Sequence, residues 1–450
     1  MGVDEARAFL EANPGVEYLD AFIIDLCGRA VGKRHPAHQI EKLYSSGSQL
    51  CAGTYLLDVN GNTSDPLGYG FSDGDPDADS HPVPGTLCLA PWSQGKGAQC
   101  LLELKNEGTS DPVWFEPRAV LRSVVDGFAE RGLTPVVAVE LEFYLIDRER
   151  TENGAPQPPL NPRTGERSWK GNVFGLDELE DYRAFLTLMA EYCGAQNIPA
   201  STGISEYGPG QFEINLDHID DPARAADQAA CLRRTMTMAA REAGFDATFM
   251  SKPYPELAGS GMHIHMSILD GEGRNIFDPA SEGGEGNLRN VIGGFQATMA
   301  EAFAIFAPNM NVFRRFEPDQ FTPVTTDWGE NNRSMAFRLP AADGPNRRVE
   351  HRVAGAEANP YLVLAAVLAG GLHGLENALE PTPMATGNAG AEVDETLPLK
   401  PWKAIEAIEN AVILPQYLGE DYPRAYAAVK RGELDDFLSA ITAREYEWYL

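Results

Sequence analysis

Two glutamates at alternate positions of an apolar run, Glu140 and Glu142 in VVAVELEFYLID, are the first residues of this chain suited to chemistry. In a strand, residues i and i+2 project from one face, about 6–7 Å apart. Two unpaired carboxylates in a core are costly, so a cation lies against them unless the strand is a solvent-facing sheet edge. A second pair brackets a Gly/Pro loop, Glu206-Tyr-Gly-Pro-Gly-Gln-Phe-Glu213, which taken alone reads as readily as two surface glutamates. His263 and His265 alternate with Ile264 and Met266 after Gly259-Ser-Gly261, so both rings point one way, as ligands or as satisfied core histidines. Arg348, Glu350 and Arg352 share a face in RRVEHR, downstream of Arg314-Arg315 and of NNRSMAFR with its Arg333 and Arg338. Guanidinium forks clamp carboxylate and phosphate groups. Together these segments suggest one site. Hard carboxylate oxygens favour Mg²⁺ or Mn²⁺ over zinc, and such ions bridge nucleotide phosphates. Nucleotide fingerprints add nothing: Gly28-Arg-Ala-Val-Gly32-Lys33 is one residue short of a phosphate loop and runs into Arg34.

These residues need strands and turns to hold them. Alternation and turn residues predict strands over 16–26, 86–90, 99–104, 136–146, 260–269 and 335–339, with a hairpin turn at Gly28-Arg29. Helices are predicted over 1–13, 118–130, 176–193 and 223–243, and for most of the chain beyond Asn359. Residues 58–85, rich in Gly, Pro, Asp and Ser, read as loop. A change of pattern near 107–111 separates a small β-rich domain, 1–109, from a large mixed domain, 110–450. The fold class is α+β.

Bulk properties exclude several classes. Acidic residues outnumber basic ones 66 to 36, a net charge of −30, the wrong sign for a nucleic-acid binder. That charge reads as a solvated, self-repelling surface or as attraction for a cationic substrate. The six cysteines form no C-x-x-C pair, and the N-terminus lacks the order of a signal peptide, so a cytoplasmic protein is expected. The longest apolar run, 361–372, is too short to span a bilayer, so no membrane partner is expected.

The motifs E-x-E-F, E-x-G-P-G-Q-x-E, G-S-G-M-H-x-H, N-N-R-x-x-x-x-R-x-P and R-x-E-x-R, in this order, resemble the glutamine synthetase superfamily from about residue 16 to the C-terminus. Longer runs such as PVVAVELEFYLIDR, AGSGMHIHMS and RVAGAEANPYLV look most like its γ-glutamylputrescine synthetase branch. The resemblance implies an N-terminal β-grasp domain, a catalytic domain around a barrel-like sheet, and a homo-oligomer of stacked rings with sites between subunits. It implies ATP and two or more Mg²⁺ or Mn²⁺ ions. Glu142, Glu206 and Glu213 would hold one ion; Glu140, His263 and Glu350 the other. Arg315 and Arg352 would clamp the α-carboxylate of glutamate, with Gly259 and Glu142 near its amino group. His265, Ser267, Arg333, Arg338 and Arg348 would face the nucleotide, and Arg333 and Glu206 would be catalytic. The implied reaction phosphorylates the glutamate γ-carboxyl and passes the acyl group to an amine.

Two departures bear on the amine. Ammonia-using members carry a flap glutamate 11 residues before the Asn of N-R-S; the count from Asn332 reaches Phe321. Their Asp-Gly-Ser-Ser element is matched here by Cys51-Ala-Gly-Thr. An alkylamine, putrescine or another polyamine, is therefore expected, packed on Phe321; ethanolamine, a monoalkylamine or ammonia is the alternative.

Overall fold

The structure, a computed structural model, describes residues 2–450. A first sheet uses β1 (Tyr18–Ile24), β2 (Ala30–Pro36), β3 (Ser48–Cys51), β4 (Asp77–Pro82), β5 (Cys88–Leu89) and β6 (Gly97–Lys105), in the order β2-β1-β6-β4-β3, with β5 on β6. β1 and β2 form the hairpin the sequence predicts, and Gly28 supplies the positive φ of +78° between them. β1 runs parallel to β6 in the middle of the sheet, as a β-grasp arrangement requires.

The second sheet has eight strands: β7 (Thr134–Ile146), β8 (Ala200–Ser205), β9 (Gln211–Leu216), β10 (Asp246–Thr248), β11 (Met262–Leu269), β12 (Trp328–Glu330), β13 (Phe337–Leu339) and β14 (Val349–His351). Their order is β12-β13-β14-β11-β7-β9-β8, with β10 pairing β7. β7 is central because its apolar positions fill one face: Val139, Leu141 and Phe143 are at most 1% exposed.

Helices cover that face. Pro222–Glu242 starts with proline in its first turn, and the Asp221 side chain accepts the Arg224 N–H. Pro360–Glu376 is buried along nearly its whole length, as its apolar composition demands. It lies against Gly284–Phe306 at backbone distance: a Cβ on Gly294 would come within 2.0 Å of the Gly370 carbonyl. Among the described residues no helix is long and apolar enough to cross a membrane. All six cysteines are free thiols.

Specific polar contacts join the first sheet to the rest. The buried Glu116 accepts the Leu104 N–H at 3.1 Å, Arg234 Nε donates to Gln99 at 3.0 Å, and Asn359 Nδ2 donates to the Asp25 carbonyl at 2.7 Å.

Two expectations need correction. The stretch 58–85 is not all loop, because β4 lies inside it, paired with both β3 and β6. DADSHP has almost no β-forming residues; two neighbouring strands supply the ladder that its composition does not advertise. The helix expected over 176–193 breaks at Tyr182 into Leu176–Asp181 and Arg183–Ala195. There the backbone turns (φ −99°, ψ 17°) and the Tyr182 ring packs edge-on against Phe212, 5.5 Å between centroids.

Candidate active site

Register across four adjacent strands assembles the site. Glu142 on β7 is the direct partner of Glu213 on β9; Glu140 is the partner of His263 on β11; His265 is the partner of Glu350 on β14. Directly paired residues share a sheet face, so these side chains all stand on the face opposite Leu141. Glu206 joins them from the turn between β8 and β9. That turn is held by Gln211, whose Oε1 accepts the Gly208 N–H at 2.8 Å and whose Nε2 donates to the Gly259 carbonyl at 3.0 Å. Gly208 has no alternative, since a Cβ there would lie 2.0 Å from the Tyr144 hydroxyl.

The acidic groups fall into two sets with different electrostatics. Glu142, Glu206 and Glu213 offer oxygens within 4.8 Å of one another. Burial, followed by the charges of Glu140, Glu142, Glu206 and Glu350, pushes the Glu213 carboxyl up to about 9. Burial and Glu142 push Glu206 to about 7, against the pull of Arg333. These carboxylates lack enough positive charge within the chain, and three clustered oxygen donors are what a divalent cation takes.

The second set is compensated. Burial works against the Glu140 carboxylate, but hydrogen bonds from His263 (3.3 Å) and His265 (2.9 Å) outweigh it and hold its pKa below the usual range. Asn215 Nδ2 adds a third donor at 3.2 Å. Glu350, fully buried, is likewise held near 2: burial opposes ionisation, and Arg352, His263 and His265 prevail. Arg338 Nη1 donates to it at 2.6 Å, and Arg352 donates to its other oxygen.

One contact fixes a tautomer. Arg348 Nε donates to His265 Nδ1 at 3.1 Å, so that nitrogen carries the lone pair and Nε2–H is the donor to Glu140. Without an ion, His265 is thus engaged at both nitrogens. His263 Nδ1 lies 3.3 Å from Glu140 and 3.8 Å from Glu350, and its Nε2 3.9 Å from Glu142. Ligand atoms gather within 4.8 Å in two further sets, Glu140 with Glu213 and His263, and Glu140 with His265 and Glu350.

A cavity of about 110 Å³ opens beside the acidic set. Glu142, Glu206, Glu213, His263, Arg315, Arg333, Arg352 and Gly259 are among the residues that line it. Gly259 and Gly261 make room for Arg315, because a Cβ on either would come within 3 Å of that side chain. Arg315 is 4% exposed and burial lowers its pKa to about 10. Arg333 projects from a turn in which the Asn332 side chain accepts from Ser334 N–H (3.0 Å) and donates to the Gly387 carbonyl (2.6 Å). Phe321 stands at the mouth, 54% exposed, its ring 5.4 Å from that of Tyr207.

Glu140, His265, Ser267, Arg338, Arg348 and Glu350 do not line this cavity; they occupy β7, β11, β13, β14 and the segment leading into β14. Ser267 follows His265 on the same face of β11, opposite Val136. Sequence reasoning missed Tyr207, which sits inside a quoted motif without an assigned role, and Lys252, Asn215 and Glu357, which no spacing rule marks.

Residues 115–449 match the glutamine synthetase catalytic domain. The chain belongs to the glutamine synthetase family. Among curated relatives, γ-glutamylputrescine synthetase of Escherichia coli is 40% identical over 447 residues, covering 99% of this chain and 94% of that protein. The γ-glutamylethanolamide synthetase of Streptomyces coelicolor is 31% identical, covering 98% and 94%. A solved GmaS–ADP complex matches with a TM-score of 0.84 at 27% identity, covering 98% of both chains. As a glutamine synthetase-family enzyme this chain is an ATP-dependent ligase that works with divalent cations, and the uncompensated Glu142–Glu206–Glu213 set suits such an ion.

Proposed function

We propose that this ligase joins the γ-carboxyl of glutamate to putrescine or another polyamine through γ-glutamyl phosphate, releasing ADP and phosphate. The observation that carries the amine assignment is the Tyr207–Phe321 pair at the cavity mouth, beside Glu206. Ammonium is small and strongly hydrated, and holding it against water needs close anions; two aromatic rings offer methylene packing and cation–π contact instead. The 40% identity to a γ-glutamylputrescine synthetase supports the same reading.

In this reading Glu142, Glu206 and Glu213 hold one divalent ion, and Glu140, His263 and Glu350 another. His265, with its lone pair committed to Arg348, orients Glu140. Such ions, when bound, would offset phosphate charge and polarise the transferred group. Arg315 and Arg352 hold the glutamate α-carboxylate, with Gly259 and Glu142 at its amino group, and the γ-carboxylate reaches the ion-binding carboxylates. Arg333, Arg338, Arg348, His265 and Ser267 serve the nucleotide, and Arg333 also meets the charge of the moving phosphoryl group. The γ-carboxylate oxygen attacks the γ-phosphorus and ADP departs. The amine then gives up a proton and attacks the acyl carbon, and phosphate leaves. Glu206, which stands next to Tyr207, is the carboxylate assigned to take that proton. Phe321 covers the acyl phosphate against water. Ring-shaped homo-oligomers with sites between subunits belong to this reading, and light scattering tests them.

The deciding experiment is phosphate release with ATP, glutamate and a panel of amines. The expected kcat/KM for putrescine or a longer polyamine exceeds that for ammonium by at least about 100-fold, near 2.7 kcal/mol. Preference for ethanolamine would move the chain toward its Streptomyces relative. Glutamine formation at an equal rate would make it an ordinary glutamine synthetase.

A further inference from the structure

The cavity holds one more cation than the arginines assigned to it. Lys252, in the segment between β10 and β11, is 8% exposed and lines the same cavity as Arg315 and Gly259. Its backbone is fixed in both directions by Asn311: Lys252 N–H donates to Asn311 Oδ1 at 2.7 Å, and Asn311 Nδ2 donates to the Lys252 carbonyl at 2.9 Å. Asn311 immediately precedes the turn Val312–Arg315, so Lys252 and Arg315 share one anchor. Half-buried Glu357 accepts the Ser251 N–H at 2.8 Å and a hydrogen bond from the Asn309 side-chain amide at 2.5 Å. Asn309 Oδ1 in turn accepts from Asn311 N–H at 2.9 Å. Both cation-bearing segments hang on the same carboxylate.

Their donors are not exhausted. Lys252 Nζ places one hydrogen bond, on the Leu257 carbonyl at 2.7 Å, and among the described residues no carboxylate lies within 4 Å of it. Arg315, 4% exposed, leaves Nε without a partner. Burial pulls the Lys252 ammonium below its usual pKa; Glu317 and Glu256 oppose this, and Arg315 adds to it. A buried ammonium and a buried guanidinium with open donors, lining one cavity, call for an anion there.

We propose that Lys252 is a third cation of the glutamate pocket and binds the substrate α-carboxylate together with Arg315. This rests on the glutamate reading above, which puts the γ-carboxylate at the ion-binding carboxylates. Lys252 remains tied to the Leu257 carbonyl through one donor and presents the other two to the substrate. Its aliphatic stem packs where the protein is already closed, so little side-chain freedom is lost on binding.

The test compares parent, Lys252→Gln and Lys252→Arg in phosphate release, with L-glutamate and with its α-carboxamide analogue, isoglutamine. Gln keeps a donor for Leu257 and removes the charge. Lys252→Gln is expected to lower kcat/KM for glutamate by about tenfold or more through KM, leaving KM for ATP and amine within about twofold. For isoglutamine, which lacks the α-carboxylate charge, the same substitution is expected to cost less than about twofold. Lys252→Arg is expected to recover glutamate use to within about threefold of the parent. Equal losses on both substrates, or a glutamate KM within about twofold of the parent, would overturn the proposal. Failure of the parent itself to release phosphate with glutamate would overturn the underlying reading instead, and is seen before any variant is made.

Discussion

Glu142 and Glu213 are direct Cα partners across the β7–β9 ladder, two carboxylates facing each other with Glu206 beside them. Like charges opposite one another in a sheet are destabilising, and here the relief comes from outside the chain. Mg²⁺ or Mn²⁺ is therefore expected to raise the thermal midpoint by several degrees, through binding to the folded state alone. Glu213→Gln is expected to leave the metal-free midpoint equal or higher, to reduce the metal-dependent rise, and to cut turnover by more than about 100-fold. Differential scanning fluorimetry with EDTA or metal reads the first two. A metal-free variant several degrees less stable than the parent would mean that the chain already neutralises this carboxylate.

Glu140 and Glu350 are expected to respond differently from each other. Glu140→Ala removes an acceptor for two histidines and an asparagine but leaves no arginine unpaired. Turnover should fall at least about a thousandfold with the fold intact. Glu350 is fully buried and answers two arginines. Glu350→Ala leaves those charges unpaired, at a cost of about 3–5 kcal/mol, so a lowered thermal midpoint should accompany the lost activity. Activity within about threefold of the parent for Glu140→Ala would remove it from the metal assignment.

Tyr207 and Phe321 are expected to set amine choice. Tyr207→Ala should lower kcat/KM for a diamine by about tenfold, the loss of roughly two buried methylene contacts, while ammonium changes less than about twofold. Phe321→Glu should narrow the gap between diamine and ammonium from the other direction. Equal effects on both amines would show that the pair only holds the turn.

The site's core was legible because period-2 alternation is a strong signal when broken. Glu140 and Glu142 interrupt a run whose other members fill the core, and His263 and His265 sit at the same spacing on the adjacent strand. Register was not legible: nothing in the sequence says that Glu142 faces Glu213 while His265 faces Glu350. Lys252 and Glu357 were invisible for another reason. Glu357 accepts from the Ser251 backbone and the Asn309 side chain, and Lys252 is held through its own backbone by the Asn311 side chain; these contacts join segments far apart in the chain, which no local spacing records. β4 was hidden by composition, and the break at Tyr182 by a helical pattern that continues across it.

Glu116 gives a pH signature away from the active site. Burial pushes its carboxyl up to about 8, with Glu103 adding to this and the Leu104 N–H and Arg118 opposing it. Its folded-state pKa lies above the unfolded value near 4.5, so the folded protein binds the extra proton. Its stabilising contribution is fully present below about 4.5 and is lost as pH rises to about 8. Glu116→Gln keeps an oxygen for the Leu104 N–H and removes the titration. Thermal midpoints from pH 5 to 9 should fall less steeply for Glu116→Gln than for the parent, with the two curves separating toward pH 8. Parallel curves would show that Glu116 stays ionised throughout.

The division between strand-borne and turn-borne residues has a consequence for how such ligases diversify. In the proposed reading most ion ligands, Glu140, Glu142, Glu213, His263 and Glu350, stand on β7, β9, β11 and β14, locked by register, whereas Glu206, Tyr207 and Phe321 sit in connecting segments. Recruitment of a new nucleophile would then need changes only at Tyr207 and Phe321, with the strand-borne ligands kept. Grafting residues 318–323 together with position 207 between relatives should transplant acceptor preference while leaving ATP and glutamate kinetics as they were.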